Sequence, residues 1–402
     1  MTVGIQQIIA TGNQDVFLSV TPEINVFKYV YYRYVNFANE IYKIHLNGLP
    51  SFNSAYSVTI PRYGHLLSKL YLHVKLPQLL STEPNKYTSW CDTIGYAIFN
   101  SPIELLIGGS VVDRLYPESM DMLDELTTSS NKLGHDLMIL KSDMYRDSIY
   151  NSLKPVDLII PLNFWFCQNY ALSLPLVSMT KQDIQINFSF KSFDKLINYN
   201  TSVPPNFVDI ISADIFAEYI YLDDPFLTQF KSMTHQYVIT QTIYNDVDII
   251  PENTTFYSTK LEFSNPCKEI IFACTEKENI LNNCYFNYSL RSNQDPIINQ
   301  IKLMFENRNR YDISYLPECI FRQLFPNNVH SVVPTKHIYV IPFAIKPEDY
   351  QPTGAANLSR FNDVNLYLQL TPNNPECYLY VFALSYNVIT IKDGILSFEW
   401  LN

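Results

Sequence analysis

Asp223 and Asp224 stand side by side in "YLDDPF", and adjacent carboxylates can share a proton or hold a cation. Directly before Pro225 the same pair is expected instead to cap a turn. The seven histidines (His45, His65, His73, His135, His235, His330, His337) include neither H-x-H nor H-E-x-x-H, the spacings that bring two imidazoles to one metal. The seven cysteines (Cys91, Cys167, Cys267, Cys274, Cys284, Cys319, Cys377) are odd in number and scattered, with no C-x-x-C pair. Such spacing argues against zinc and points to free thiols in a reducing compartment. No G-x-G-x-x-G, G-x-x-x-x-G-K-[ST] or G-x-S-x-G occurs, and ten glycines leave little with which to cradle a phosphate. The expectation is a chain that is not an enzyme, with no catalytic residue, no cofactor-binding residue, no metal ligand and no cofactor.

"NVFKYVYYRYVNFANE" (Asn25–Glu40) raises a different chemistry, because four tyrosines and two phenylalanines alternate with Lys28 and Arg33. Single-stranded nucleic acid is held by such rings and cations. The whole chain opposes that reading: 28 Lys plus Arg face 39 Asp plus Glu, a formal charge of −11, and phosphate binding is driven by cations. No direct nucleic-acid partner is expected; the other form that suits the stretch is a β-strand inside a large protein assembly. Sequons at Asn187, Asn200, Asn253, Asn287 and Asn357 are expected to be silent, with Asn187 and Asn287 inside strand-like runs. "MTVGIQQIIATG" lacks the basic start and apolar core of a signal peptide, so synthesis in a cytosol is expected.

The elements behind these residues are strands. Tyr (30) and Phe (25) outnumber Gly (10), and only 17% of residues are charged, which favours packed sheets over long helices. "DIQINFSF" sets Ile184, Ile186, Phe188 and Phe190 on one face, "DVNLYLQL" sets Val364, Leu366, Leu368 and Leu370, and "KLYLHVKLP" sets Leu70, Leu72, Val74 and Leu76. One apolar face per strand is the mark of a sandwich. "YLYVFALSYNVITI" (Tyr378–Ile391) is apolar on both faces and should lie between two layers or at a subunit contact. Helix is comfortable in the first half only from Glu118 to Arg146.

Two blocks recur in order. "D-[IV]-x-[IL]-x-[FL]-x-[FL]" starts at Asp183 and at Asp363, preceded by "IPLNFWF" and "IPFAIKP". "VDRLYPESM" and "YDISYLPECI" share a Pro-Glu (Pro117-Glu118, Pro317-Glu318) followed by a helix-like stretch. One β domain used twice is the simplest account. The loop-like "NYNTSVPPNF" (Asn198–Phe207) then places the boundary, giving an arm over 1–19 and two eight-stranded domains over 20–200 and 201–402.

"GNQDVFLSVTPEINVFKYVYYRYVNFANE", "IPRYGHLLSKLYLHVKLP", "IELLIGGSVVDRL", "IPLNFWFCQNYALSLPLVSMTKQDIQINFSF" and "FAIKPEDYQPTGAANLSRFNDVNL" together resemble the major capsid proteins of the nucleocytoplasmic large DNA viruses. The resemblance runs from residue 12 to about 394. It departs from the family pattern at Gly64-His65, where Gly-Asp is usual, and in the ending "NVITIKDGILSFEWLN".

The resemblance implies an all-β double jelly roll, two consecutive eight-stranded antiparallel domains with short helices in loops. It further implies a homotrimer with a pseudo-hexagonal outline that tiles an icosahedral shell, residing in the virion after assembly in the host cytoplasm. Its partners would be its own copies, minor capsid, cement and penton proteins, and an internal membrane layer indirectly. Two other readings use the same fold: a minor paralogue or membrane-shaping scaffold, and a receptor- or glycan-binding spike with an aromatic patch near Trp90.

Overall fold

In a computed structural model the described residues are 2–10, 12, 21, 27–128, 133–141, 152–311 and 315–400. Met1–Asn36 forms one unit and Phe37–Asn402 a second, much larger one. Within the first, Val3–Ile9 is a helix; the rest of the expected arm lies outside the described residues except residues 2, 10 and 12.

Phe37–Asn402 is built of antiparallel strands. The earlier ones are β1 (Phe37–His45), β2 (Ala55–Thr59), β3 (Leu66–Leu76), β4 (Thr88–Trp90), β5 (Ile103–Ile107) and β6 (Ser110–Leu115). β7 (Val156–Pro161), β8 (Ile184–Ser189), β9 (Ile197–Tyr199) and β10 (Ser212–Leu222) follow. They form the sheets β1-β10-β3-β7 and β2-β8-β5-β6, with β4 and β9 paired separately. The later strands are β11 (His235–Ile250), β12 (Phe256–Lys260), β13 (Pro266–Glu276), β14 (Ile298–Phe305), β15 (Arg308–Asn309) and β16 (Leu316–Pro317). β17 (Ile338–Pro342), β18 (Ala356–Asn357), β19 (Val364–Leu370), β20 (Cys377–Lys392) and β21 (Ile395–Phe398) complete them. Their sheets are β11-β20-β13-β17 and β12-β19-β14-β15, with β16, β18 and β21 pairing at the margins.

Lettered B to I in chain order, the eight main strands of each half give the same two sheets, B-I-D-G and C-H-E-F. That is the double jelly roll, and it places the recurring blocks at matching points. β8 and β19 are both strand H, with Ile184, Phe188, Leu366 and Leu370 all buried. The two "IP" blocks end strand G (β7, β17), and the two Pro-Glu pairs follow strand F and lead into helix, Pro117–Thr127 in the first half and Ile320–Leu324 followed by Phe325–Val329 in the second.

Four expectations need correction. The boundary at 200/201 precedes β10, yet β10 hydrogen-bonds along its length to β1 and β3, so the first sandwich closes only at Leu222. Helix is not confined to 118–146 in that half: Ile94–Ala97 and Trp165–Gln168 are single helical turns. Asn287 lies in the loop after the helix Lys277–Leu281, not in a strand. The strand expected through "YVYYRYV" begins only at Phe37, opposite Leu222. Beyond Leu222 the chain turns into the helix Asp224–Ser232, so no ladder partner continues along that sheet for residues 29–36. Strand propensity without a partner makes no sheet.

In the sheet β11-β20-β13-β17 the strands β20, β13 and β17 are buried on both faces, and alternate residues feed different cores. Phe272, Cys274, Tyr339, Ile341, Leu379 and Val381 pack inside the second sandwich. Ile271, Ala273, Ile338, Val340, Phe382 and Leu384 join the core of the first. "YLYVFALSYNVITI" is two-faced because it separates two layers. Each fully buried Ile, Val, Leu or Phe there contributes about 1.5–3 kcal/mol, which holds the two sandwiches as one body.

Candidate functional site

The chemistry-bearing residues fall into three places. Asp223 is the N-cap of the helix Asp224–Ser232, its carboxylate accepting the Asp224 N–H at 3.0 Å. Asn at this position caps as well as Asp, whereas Ala does not. Asp223→Asn is therefore expected to leave thermal stability unchanged, and Asp223→Ala to lower it by about 1 kcal/mol in calorimetry. Equal effects from both would remove the cap from the account.

The second place is the seam between the sandwiches. Lys336, from the second, donates to both oxygens of fully buried Asp121 at 2.6 and 2.9 Å on the helix Pro117–Thr127 of the first. Thr335 Oγ1 donates to Glu125 at 3.2 Å, and the Val332 N–H to the Leu126 carbonyl at 3.1 Å. Lys141 pairs with Asp124 and Glu125 at 3.0 and 2.9 Å, and His135 with Asp124 at 3.1 Å. Burial pushes the Asp121 carboxyl up to about 6 despite the pull of Lys336.

A cavity of about 460 Å³ opens nearby, with Asp113, Asp124, Cys167, Lys268, Glu269 and His330 on its walls. His330 lies between Glu269 at 2.8 Å and Glu348 at 3.1 Å. Burial opposes the charged ring, but the two carboxylates outweigh it and lift the imidazole to about 9. Lys268 donates to the Pro347 carbonyl at 2.7 Å. Burial raises Asp113 to about 7, partly offset by the backbone N–H groups of Arg114 and Trp165. A carboxyl so poised is a candidate base, but burial holds the nearby Cys167 thiol up to about 12, far from a thiolate nucleophile. Among the described residues no group of three His, Cys, Asp or Glu is placed to hold a metal.

The third place is the outer face of β1-β10-β3-β7. Along β3, Lys69, Tyr71, His73 and Lys75 are half-buried while Leu70, Leu72, Val74 and Leu76 are buried. Lys43 and His45 meet Asp214 at 2.8 and 2.7 Å, His73 meets Asp157 at 3.0 Å, and Asn39 donates to Glu218 at 2.7 Å. The equivalent face of the second sandwich is the one covered by the first. Sequence reasoning missed both this contrast and the Lys336–Asp121 clamp, whose partners lie 215 residues apart with no spacing to betray them. Trp90 is fully buried, so it offers no exposed aromatic patch. No described helix is long and apolar enough to cross a membrane.

These surfaces describe something that packs rather than reacts, and the comparisons agree. Residues 25–223 match the family model for the major capsid protein N-terminus, and 228–397 that for the large eukaryotic DNA virus major capsid protein. The chain belongs to the major capsid protein family of large eukaryotic DNA viruses. The major capsid protein of Pyramimonas orientalis virus is 27% identical over 99% of both chains. That of Paramecium bursaria Chlorella virus 1 is 24% identical over the full length of both. In solved structures, the chain in the PBCV-1 capsid superposes with a TM-score of 0.80 at 21% identity, covering 94% of this chain and all of that one. The Faustovirus major capsid protein gives 0.77 at 13%, covering 95% and 94%. The capsid protein is a structural component of the virion shell and not an enzyme.

Proposed function

We propose that the capsid protein assembles as a homotrimer of pseudo-hexagonal outline, with the two jelly rolls divided at the helix Asp224–Ser232. One observation carries this reading. The B-I-D-G sheet of the second jelly roll is covered by the first within the chain, while the matching sheet of the first keeps its outer face partly open. If the second jelly roll of a neighbour covers that face as the first covers its partner, each chain supplies two of six similar wedges and three chains close the ring. Lys43, His45, His73 and Asp214 are then interface residues, and the Lys43–Asp214 pair is already made before contact, which lowers the cost of burying it. The ring tiles a lattice completed by minor capsid, cement and penton proteins, with assembly in the host cytoplasm. No residue in this reading performs catalysis or holds a metal.

Light scattering on the purified protein tests it. Three copies of the 46.7 kDa chain give a particle of about 140 kDa, whose contact should clear the ~1,200 Å² typical of stable interfaces. A mass of one chain at micromolar concentration would exclude the trimer and favour a monomeric spike.

A further inference from the structure

The two jelly rolls repeat strand for strand, yet the loops joining strands G and H meet different surroundings. In the first, residues 162–183 press onto the second jelly roll. The Trp165 ring lies 6.1 Å from that of Tyr237, and Ser178 Oγ lies 3.2 Å from His235 Nε2. The Lys181 N–H donates to the Gly394 carbonyl at 3.2 Å, and a Cβ on Gly394 would stand 2.6 Å from Thr180 Oγ1. The loop thus seats on the entry to strand B of the second jelly roll, with the β20–β21 hairpin beside it.

The counterpart loop, residues 343–363, is mostly exposed. Ile345 is 74% exposed, Tyr350 49% and Phe361 38%. The entry to strand B of the first jelly roll is equally bare, with Phe37 58% and Ile41 64% exposed. His235, at the matching end of β11, is buried. Apolar side chains left open on both halves of a repeated contact are what an interface between copies would cover.

We propose that the Phe37–Ile41 start of β1 in one copy is the seat for the loop 343–363 of a second copy, repeating between chains the contact made within one. Phe37 then stands where the start of β11 stands, and Ile345 and Phe361 press onto Phe37 and Ile41 as the Trp165 loop presses onto Tyr237. The inference rests on the trimeric reading and names the surface that closes it.

Photocrosslinking on the full chain tests it. With Phe37→p-benzoylphenylalanine, irradiation should give denaturing-gel bands at two and three times the chain mass, and peptide mapping should join residue 37 to residues 343–363. Adding Ile345→Asp and Phe361→Asp should cut the crosslinked product at least tenfold. Adducts confined to the single-chain band, or mapping elsewhere on the neighbour in a protein of trimeric mass, would overturn the seat and leave the trimer standing. A single-chain mass by light scattering would overturn both.

Discussion

Lys336→Met is expected to destabilise the capsid protein by about 3–5 kcal/mol, the usual cost of removing one partner from a buried pair. The reason is Asp121, which has no exposed surface and takes both its charged hydrogen bonds from Lys336. Without that ammonium the carboxylate must stay buried and uncompensated or take up a proton. Asp121→Asn added to Lys336→Met should recover most of the loss, because the buried charge is then gone as well. Denaturant titration of the two single variants and the double gives the coupling directly. Additive losses would show that the seam is held by its apolar contacts and that the clamp adds nothing. The clamp bridges the jelly rolls, so its loss should also separate one unfolding transition into two.

A decline in thermal stability from pH 4 to pH 9 is the second large effect expected, mainly from two buried groups titrating in turn. Asp113 is raised in the fold, to about 7 from 3.8. Between those values the native state holds a proton that the unfolded chain has released, so stability falls as pH rises from about 4 to 7 and is level above. His330 is also raised, to about 9 from 6.5. Its contribution is full below pH 6.5 and is lost as pH rises through 9. A tenfold change in proton affinity is worth about 1.4 kcal/mol, so the two amount to roughly 4 and 3 kcal/mol.

Melting temperatures across this range separate them. Asp113→Asn should raise the melting temperature at pH 8 and change it little at pH 4. His330→Gln should flatten the profile between 6.5 and 9, and should lower stability at pH 6 by leaving Glu269 without its cation. A wild-type profile that is flat from pH 5 to 9, or variants that keep its slope, would contradict the assignment.

Period-2 alternation in "DIQINFSF", "DVNLYLQL" and "KLYLHVKLP" determined which side of each strand is buried, because the pleat leaves no other choice once one face is apolar. The 180-residue recurrence determined that two like sandwiches follow one another, since both strand H segments carry the same pattern to the same depth. The two-faced run at Tyr378–Ile391 determined that one strand must be covered twice. Each of these is local, readable from neighbours in the chain.

Tertiary structure decided what local pattern could not carry. Loop-like composition at Asn198–Phe207 suggested a boundary, but β10 returns past it because strand I must pair between B and D to close the sandwich, a contact with residues some 170 positions earlier. "YVYYRYV" has the composition of a strand, and only the end of the β10 ladder at Leu222 shows that no partner in that sheet awaits it. Asp121, Asp113 and His330 look ordinary in sequence. Asp121 became consequential when the second jelly roll closed over the first and supplied Lys336 from the far half of the chain, Asp113 when burial removed its water, and His330 when folding brought Glu269 and Glu348 to its ring. Strand faces depend on a period of two residues, whereas the seam depends on which residues two folded sandwiches bring together, and that is fixed only once both have folded.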